Sequence, residues 1–331
     1  MKNLLLTDFV VDKDWVFLKH LGESDWICIG KQSTRLHDSF LKNLVRYAIY
    51  FIFPLQFVFK RSCYGKIVAY QQFFGLNFAF WCRVFHLKKR NDLTVMTFIY
   101  KKKLGRAGLL YHKYMSYVVT SQYIDRFICF SKEECAYYAN LFGVDKSKFI
   151  FCPLGKEEPL VKDVKDEGYI FATGLSNRDY DFLVDALKYT DYRCVIACDA
   201  YKLKDCPANT SVLNNCYGES MLNLMAHCHC VVVPLKDLRI SSGQLVVLQA
   251  MSLGKPVICT HADGIIDYVE NEVTGYLIDN KKEQLLSALH RLYEHKGDYD
   301  AIAKNARVSY LNNFTVEAMF RRIAHVINIA K

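Results

Sequence analysis

Three sets of residues in this 331-residue chain have the types and spacing to do chemistry. The first is the turn Ser241-Ser242-Gly243-Gln244, which opens a helix-period apolar run. A Ser/Gly turn at a helix start offers backbone N–H groups and the positive end of the helix dipole, a setting suited to a diphosphate. The second is a pair of basic clusters, Lys88-Lys89-Arg90 before the apolar run LTVMTF and Lys101-Lys102-Lys103 with Arg106 after it. Ligands bind beyond the carboxyl ends of strands in open α/β sheets, so the second cluster is the one placed to meet phosphates or an anionic membrane. The third is a set of candidate bases, Asp8 and Asp12 after the first strand and His112. Each type can take a proton from an attacking hydroxyl, and each Asp can equally serve as a turn residue.

The sequence His227-Cys228-His229-Cys230 has metal-ligating types, but it runs into the strand-like VVVP. Alternation along a strand sends its side chains to opposite faces, so the reading is structural and no metal site is expected.

These residues sit in a chain where short apolar runs alternate with helix-period segments. In the first half the strand candidates are 3–9, 25–30, 66–70, 93–98, 126–130 and 148–153, with helical stretches such as Phe74 to His86, Gly108 to Gln122 and Lys132 to Phe142 between them. The alternation restarts with 169–174, 193–199, 210–215, 230–234 and 255–260, and three helices close the chain over 281–295, 299–312 and 316–331. This order predicts an α/β fold with two doubly wound parallel sheets facing a cleft. The expected division is a domain over 1–155, a charged linker over 156–168, and a second domain with a helical tail over 169–331.

Charge divides the chain more sharply than the total of +9 suggests. Residues 1–160 hold 24 Lys and Arg against 13 Asp and Glu, whereas 161–331 hold 19 against 21. The first half therefore expects an anionic partner. Nucleic acid is not expected, because no binding motif or regular stacking platform accompanies the basic clusters. The thirteen cysteines are odd in number and scattered through strand-like runs, which reads as a reduced, cytoplasmic protein. The opening MKNLLLTDF is not read as a leader peptide. The apolar window from Phe40 to Arg61 is interrupted by Lys42, Arg46 and Pro54. It is too broken to span a bilayer, and its basic, aromatic character suits either a membrane interface or a sheet face.

The segment from Pro234 to Asp279 resembles the C-terminal domain of GT-B glycosyltransferases, above all the large retaining family four. Leu248-Gln249-Ala250-Met251-Ser252-Leu253-Gly254-Lys255-Pro256-Val257-Ile258 falls on that family's L-x-x-x-E-A-M-A-x-G-x-P-V-I pattern. Asp263-Gly264-Ile265-Ile266-Asp267 and Gly275-Tyr276-Leu277 fall on its G-G-x-x-E and G-x-L-V. Upstream, 172–187 resembles G-R-x-x-x-K-G-x-D-x-L-I-x-A, with Gly174 on the Gly and Arg178 on the Lys. The resemblance implies a GT-B enzyme without an intrinsic metal or cofactor, with a UDP- or GDP-sugar as donor substrate. Arg178 then stabilises the leaving diphosphate, Gly174 and Ser241 to Gln244 lie around the donor, and Gln249 stands where the family's second Glu meets the ribose.

Two departures bear on the reaction. Ser241 occupies the place of the first Glu of E-x7-E, and Leu175 that of the family's arginine. The atypical turn SSGQ leaves retention or inversion open. What the resemblance implies overall is a transferase at the inner membrane face. It would move a sugar onto a lipid-linked saccharide in capsule, exopolysaccharide or O-antigen assembly, with Lys101, Lys102, Lys103, Arg106 and His112 on the acceptor side. A nucleotide-sugar 2-epimerase of the same fold, or a catalytically silent partner that binds a nucleotide sugar, are the alternatives.

Overall fold

A computed structural model describes residues 1–12, 14–22, 25–33, 39–202 and 207–329. The chain forms two compact units, one of Met1–Cys152 with Phe320–Lys331 and one of Pro153–Met319.

In the first unit the order is β1 (Lys2–Thr7), α1 (Val16–Leu21), β2 (Trp26–Gly30), α2 (Phe40–Ile52), α3 (Leu55–Phe59), β3 (Tyr64–Ala69), α4 (Gln72–Val84), β4 (Asp92–Val95), α5 (Gly105–Val119), β5 (Arg126–Cys129), α6 (Lys132–Phe142) and β6 (Phe149–Phe151). The strands are parallel and ordered β2-β1-β3-β4-β5-β6. Leu4, Leu5 and Leu6 are fully buried on consecutive positions, as expected of a sheet covered on both faces. The aromatic window from Phe40 breaks into two helices because Pro54 cannot continue the first and instead opens the second. β4 stops at Val95, short of the expected 98, where Thr97 turns into the left-handed region at φ 54°.

The second unit runs β7 (Tyr169–Thr173), α7 (Tyr180–Leu187), β8 (Arg193–Ala197), β9 (Thr210–Leu213), α8 (Glu219–His227), β10 (Cys230–Val233), α9 (Gln244–Ser252), β11 (Val257–Thr260), β12 (Tyr276–Ile278), α10 (Lys282–Glu294), α11 (Lys296–Asn313) and α12 (Val316–Asn328). Its parallel sheet has the order β12-β11-β10-β7-β8-β9, the doubly wound arrangement whose direction of winding reverses between β7 and β10. The three-residue β12 carries too little alternation to be read from sequence.

Two boundaries differ from the sequence reading. Residues 156–168, read as a linker, belong to the second unit. Backbone bonds run from Lys156 to Phe314, Lys165 to Ala226 and Glu167 to His227, and the fully covered Lys255 ammonium donates to the carbonyls of Lys165 and Cys228. The end of α12 belongs to the first unit, because its apolar face offers Phe320 to Trp15 and Phe17, with ring centroids 5.3 and 4.8 Å apart. Residues 330 and 331, the end of that predicted helix, lie outside the described residues.

His227 and His229 serve this packing. His227 Nε2 lies 3.0 Å from Asp163, and His229 bridges Asp166 at 2.7 Å and the Leu292 carbonyl at 3.1 Å. Cys228 between them and Cys230 after them are fully buried. Burial pushes the thiols of Cys82, Cys152, Cys194, Cys228 and Cys259 up to about 12, which keeps them protonated and unreactive.

Candidate active site

The reversal between β7 and β10 brings the loop 174–179 beside the loop 234–243. Their backbones meet at the bridge between Arg178 and Leu235 and at the bond from Asp179 N to Pro234 O, 3.0 Å. Gly174 leaves β7 with φ 115°, and a Cβ there would lie 2.5 Å from an Arg178 guanidinium nitrogen. Only glycine permits both the backbone angle and the approach. The guanidinium lies over this glycine, with Nε donating to Thr173 O at 3.0 Å and Nη1 to Ser176 O at 2.8 Å.

Arg178 is half-buried, and no carboxylate pairs with it among the described residues. Desolvation lowers its pKa, opposed by the neighbouring Tyr180. A guanidinium stays charged through such a shift, so a partly desolvated cation stands at the switch point with carbonyl dipoles to orient it and no counter-ion.

On the other side, Gly243 at φ 92° turns the chain into α9, and no side chain caps that helix. Ser241 and Ser242 precede it. The Gln244 amide donates to the Ser241 hydroxyl, and the Ser242 hydroxyl donates to Ile240 O at 3.3 Å. An uncapped helix start facing polar groups favours an anion. Gln249 is half-buried in the middle of α9; its carbonyl accepts from Leu253 N at 3.2 Å and the Ser252 hydroxyl at 2.6 Å.

Sequence reasoning passed over the residue that joins the two loops. Asn177 is itself left-handed, at φ 58°. Its amide nitrogen donates to Asp237 O and to the Ser242 hydroxyl, both at 2.8 Å, and its amide oxygen accepts from Asp237 N at 2.8 Å. A second fastening holds Leu235 from below: its N–H donates to the Thr260 hydroxyl at 2.8 Å, and its carbonyl accepts from the Asn280 amide at 2.7 Å. Asn in a turn is so common that its type alone carried no signal. The usable signal was its position next to Arg178.

Residues 169–295 match the profile of the family described as Glycosyl transferases group 1. The second unit carries a group 1 glycosyltransferase domain. Among curated proteins none matches the chain by sequence. Among solved structures, HepE of Anabaena in complex with UDP superposes with a TM-score of 0.70 at 14% identity, over 100% of each chain. Sucrose-phosphate synthase from Thermosynechococcus elongatus gives 0.68 at 15% identity over 98% of each, and a glycosyltransferase from Rickettsia africae 0.66 at 13% over 98% of each. These likenesses show the fold, two α/β units of the GT-B kind.

The group 1 domain thus contains Gly174, Arg178 and Ser241 to Gln244 in adjoining loops, while the residues assigned to the acceptor lie in the other unit. There the switch point falls between β1 and β3. Asp8 is buried at the end of β1 beside the Gln71 side chain, and burial raises its carboxyl above the usual range. Gln71 accepts from Phe73 N at 2.9 Å, capping α4, and donates to the Tyr50 hydroxyl at 3.2 Å. Asp12 is exposed and accepts from Asp14 N at 3.2 Å, as a turn residue does. His112 is held by both nitrogens, Nδ1 2.9 Å from the Tyr100 hydroxyl and Nε2 3.5 Å from that of Ser116, with its ring stacked on Phe142. Lys101, Lys102, Lys103 and Arg106 are exposed before and at the start of α5, and the Lys103 ammonium sits over the Tyr111 ring at 4.8 Å.

Proposed function

We propose that this glycosyltransferase moves a sugar from a nucleotide-diphosphate donor to a lipid-linked saccharide at the inner membrane face, as in capsule, exopolysaccharide or O-antigen assembly. The observation that carries the donor side is the half-buried Arg178 cation, without a carboxylate partner among the described residues, across the switch point from the uncapped start of α9. Cleaving the anomeric C–O bond leaves the electron pair on the β-phosphate oxygen. Arg178, and the N–H groups that open α9, are the groups suited to receive that charge. Neither needs to reorganise, since carbonyls and Asn177 already hold both loops. Gln249 is assigned to the ribose, its amide oxygen accepting from a hydroxyl. The UDP in the Anabaena HepE structure favours a uridine nucleotide.

The acceptor side rests on the basic residues Lys101, Lys102, Lys103 and Arg106. Asp8, buried with a raised pKa at the first unit's switch point, is better suited as an acid/base group than Asp12 or His112. The test is thermal shift and calorimetry with UDP, GDP and their sugars. One of these diphosphates stabilises the wild type by mass action. Arg178→Ala loses that stabilisation and about 10²-fold or more in turnover. An unchanged affinity and rate in that variant removes the donor site as described.

A further inference from the structure

The excess positive charge occupies a single stretch. Residues 39–124 contain fourteen Lys and Arg and one acidic residue, Asp92, which is bound by Arg126 with one contact at 2.7 Å. That stretch is α2, α3, α4 and α5 with the strands between them, and these helices pack against one another in one layer.

The layer is also apolar on its outside. The inward side of α2 carries Tyr50, buried in the core, with Ile49 packed against it. Its outward side should be polar on a surface helix. Instead Phe40 is 82% exposed, Leu44 59% and Ile52 66%, with Leu41 and Val45 exposed between them. At the start of α5, Leu104 is 92% and Leu110 68% exposed. The two helices run the same way, since each carries the chain from the carboxyl end of one parallel strand back to the start of the next, and Phe51 meets Tyr114 with ring centroids 5.9 Å apart. Their N-terminal turns therefore share one end of the layer, the end at the carboxyl edge of the parallel sheet.

We propose that this face, the outer side of α2 with the N-terminal turn of α5, inserts its apolar side chains into an anionic lipid surface while the surrounding lysines and arginines bind the headgroups. Charge complementarity selects lipid over protein. Protein interfaces are depleted in lysine, whereas here Lys42, Lys101, Lys102 and Lys103 interleave with bare leucines and phenylalanine, with no acid on α2 or in the turn before α5 among the described residues. Aromatic and aliphatic residues bordered by basic ones are the composition of an interfacial helix. The proposal gives the membrane-borne acceptor reading a surface, and it is read without donor, acceptor or turnover.

The experiment is co-sedimentation of the full chain with vesicles of phosphatidylcholine alone and of phosphatidylcholine mixed with phosphatidylglycerol, across a salt series, beside light scattering of the free chain. The wild type binds the mixed vesicles, and a part of that binding resists salt. Leu44→Ser with Ile52→Ser removes the salt-resistant part, a loss of about ten-fold or more. Lys101→Ser with Lys102→Ser and Lys103→Ser removes the salt-dependent part. Leu104→Ser, at an exposed position outside the helices, weakens binding in the same sense and guards against misfolding of the α2 variant. No binding of the wild type to mixed vesicles overturns the proposal. So does wild-type binding by the α2 and Leu104 variants, or a wild-type dimer that the α2 variant dissolves. Thermal shift with UDP in the same samples stays as in the wild type, so failure of the surface and failure of the donor site are told apart.

Discussion

Both units place a switch point between two parallel strands, but they fasten it with different side chains. In the second, amides and hydroxyls cross it: Asn177 to Asp237 and Ser242, Thr260 and Asn280 to Leu235. In the first, aromatic rings crowd the ends of β1 and β3. Phe9 and Trp15 are edge-on at 5.3 Å, Phe9 and Tyr70 at 5.3 Å, and Trp15 and Tyr70 at 5.4 Å, with Asp8 and Gln71 as the polar element beside them. Directional bonds fix a backbone to a fraction of an ångström, which suits loops proposed to present N–H groups to a diphosphate. Rings give area and adaptable contact, which suits a varied, partly apolar ligand.

Breaking the directional side has the larger expected effects. Arg178→Ala takes the greatest loss, about 10²-fold or more in kcat, in a transfer assay that follows release of the nucleoside diphosphate. Gly174→Ala places a methyl against the guanidinium and strains a positive φ. It costs about 1–3 kcal/mol in denaturant unfolding and lowers donor affinity with it. Asn177→Ala leaves the protein folded and raises donor KM by about ten-fold with a smaller change in kcat, because the residue positions the loops and does not reach the reacting atoms. Gln71→Ala, its counterpart in the first unit, leaves donor affinity unchanged; a fall there would erase the distinction between the two switch points.

The smallest effect is a pH dependence at Asp8. Burial holds its carboxyl above the usual range, so the folded chain keeps this proton to higher pH than the unfolded one. Stability falls as pH rises through the window from the ordinary carboxylate value to the raised one. Asp8→Asn therefore gains about 2 °C in Tm at neutral pH and nothing below the carboxylate range, by calorimetry at both pH values.

The sheets were legible because buried parallel strands are continuous apolar runs, such as Leu4 to Leu6 and Val231 to Val233. The loops proposed for the donor were legible in part: Gly174 and Gly243 have the type that their positive φ demands. Asn177, Thr260 and Asn280 were not, because a clamp depends on which loops the fold brings together, and that pairing is nonlocal. The outward face of α2 was legible only as one of two alternatives. Its basic, aromatic window suits a membrane interface or a sheet face, and only the helix's orientation shows which of its apolar residues face out.

The exchange of α12 between units sets an order of assembly. The first unit begins at residue 1 yet takes Phe320 and the residues after it into its own packing. During synthesis its first stretch emerges before the second unit and waits, with Trp15 and Phe17 lacking their partner, until the whole of the second unit has been made. The group 1 domain can close early, while the unit that precedes it in the chain is completed last.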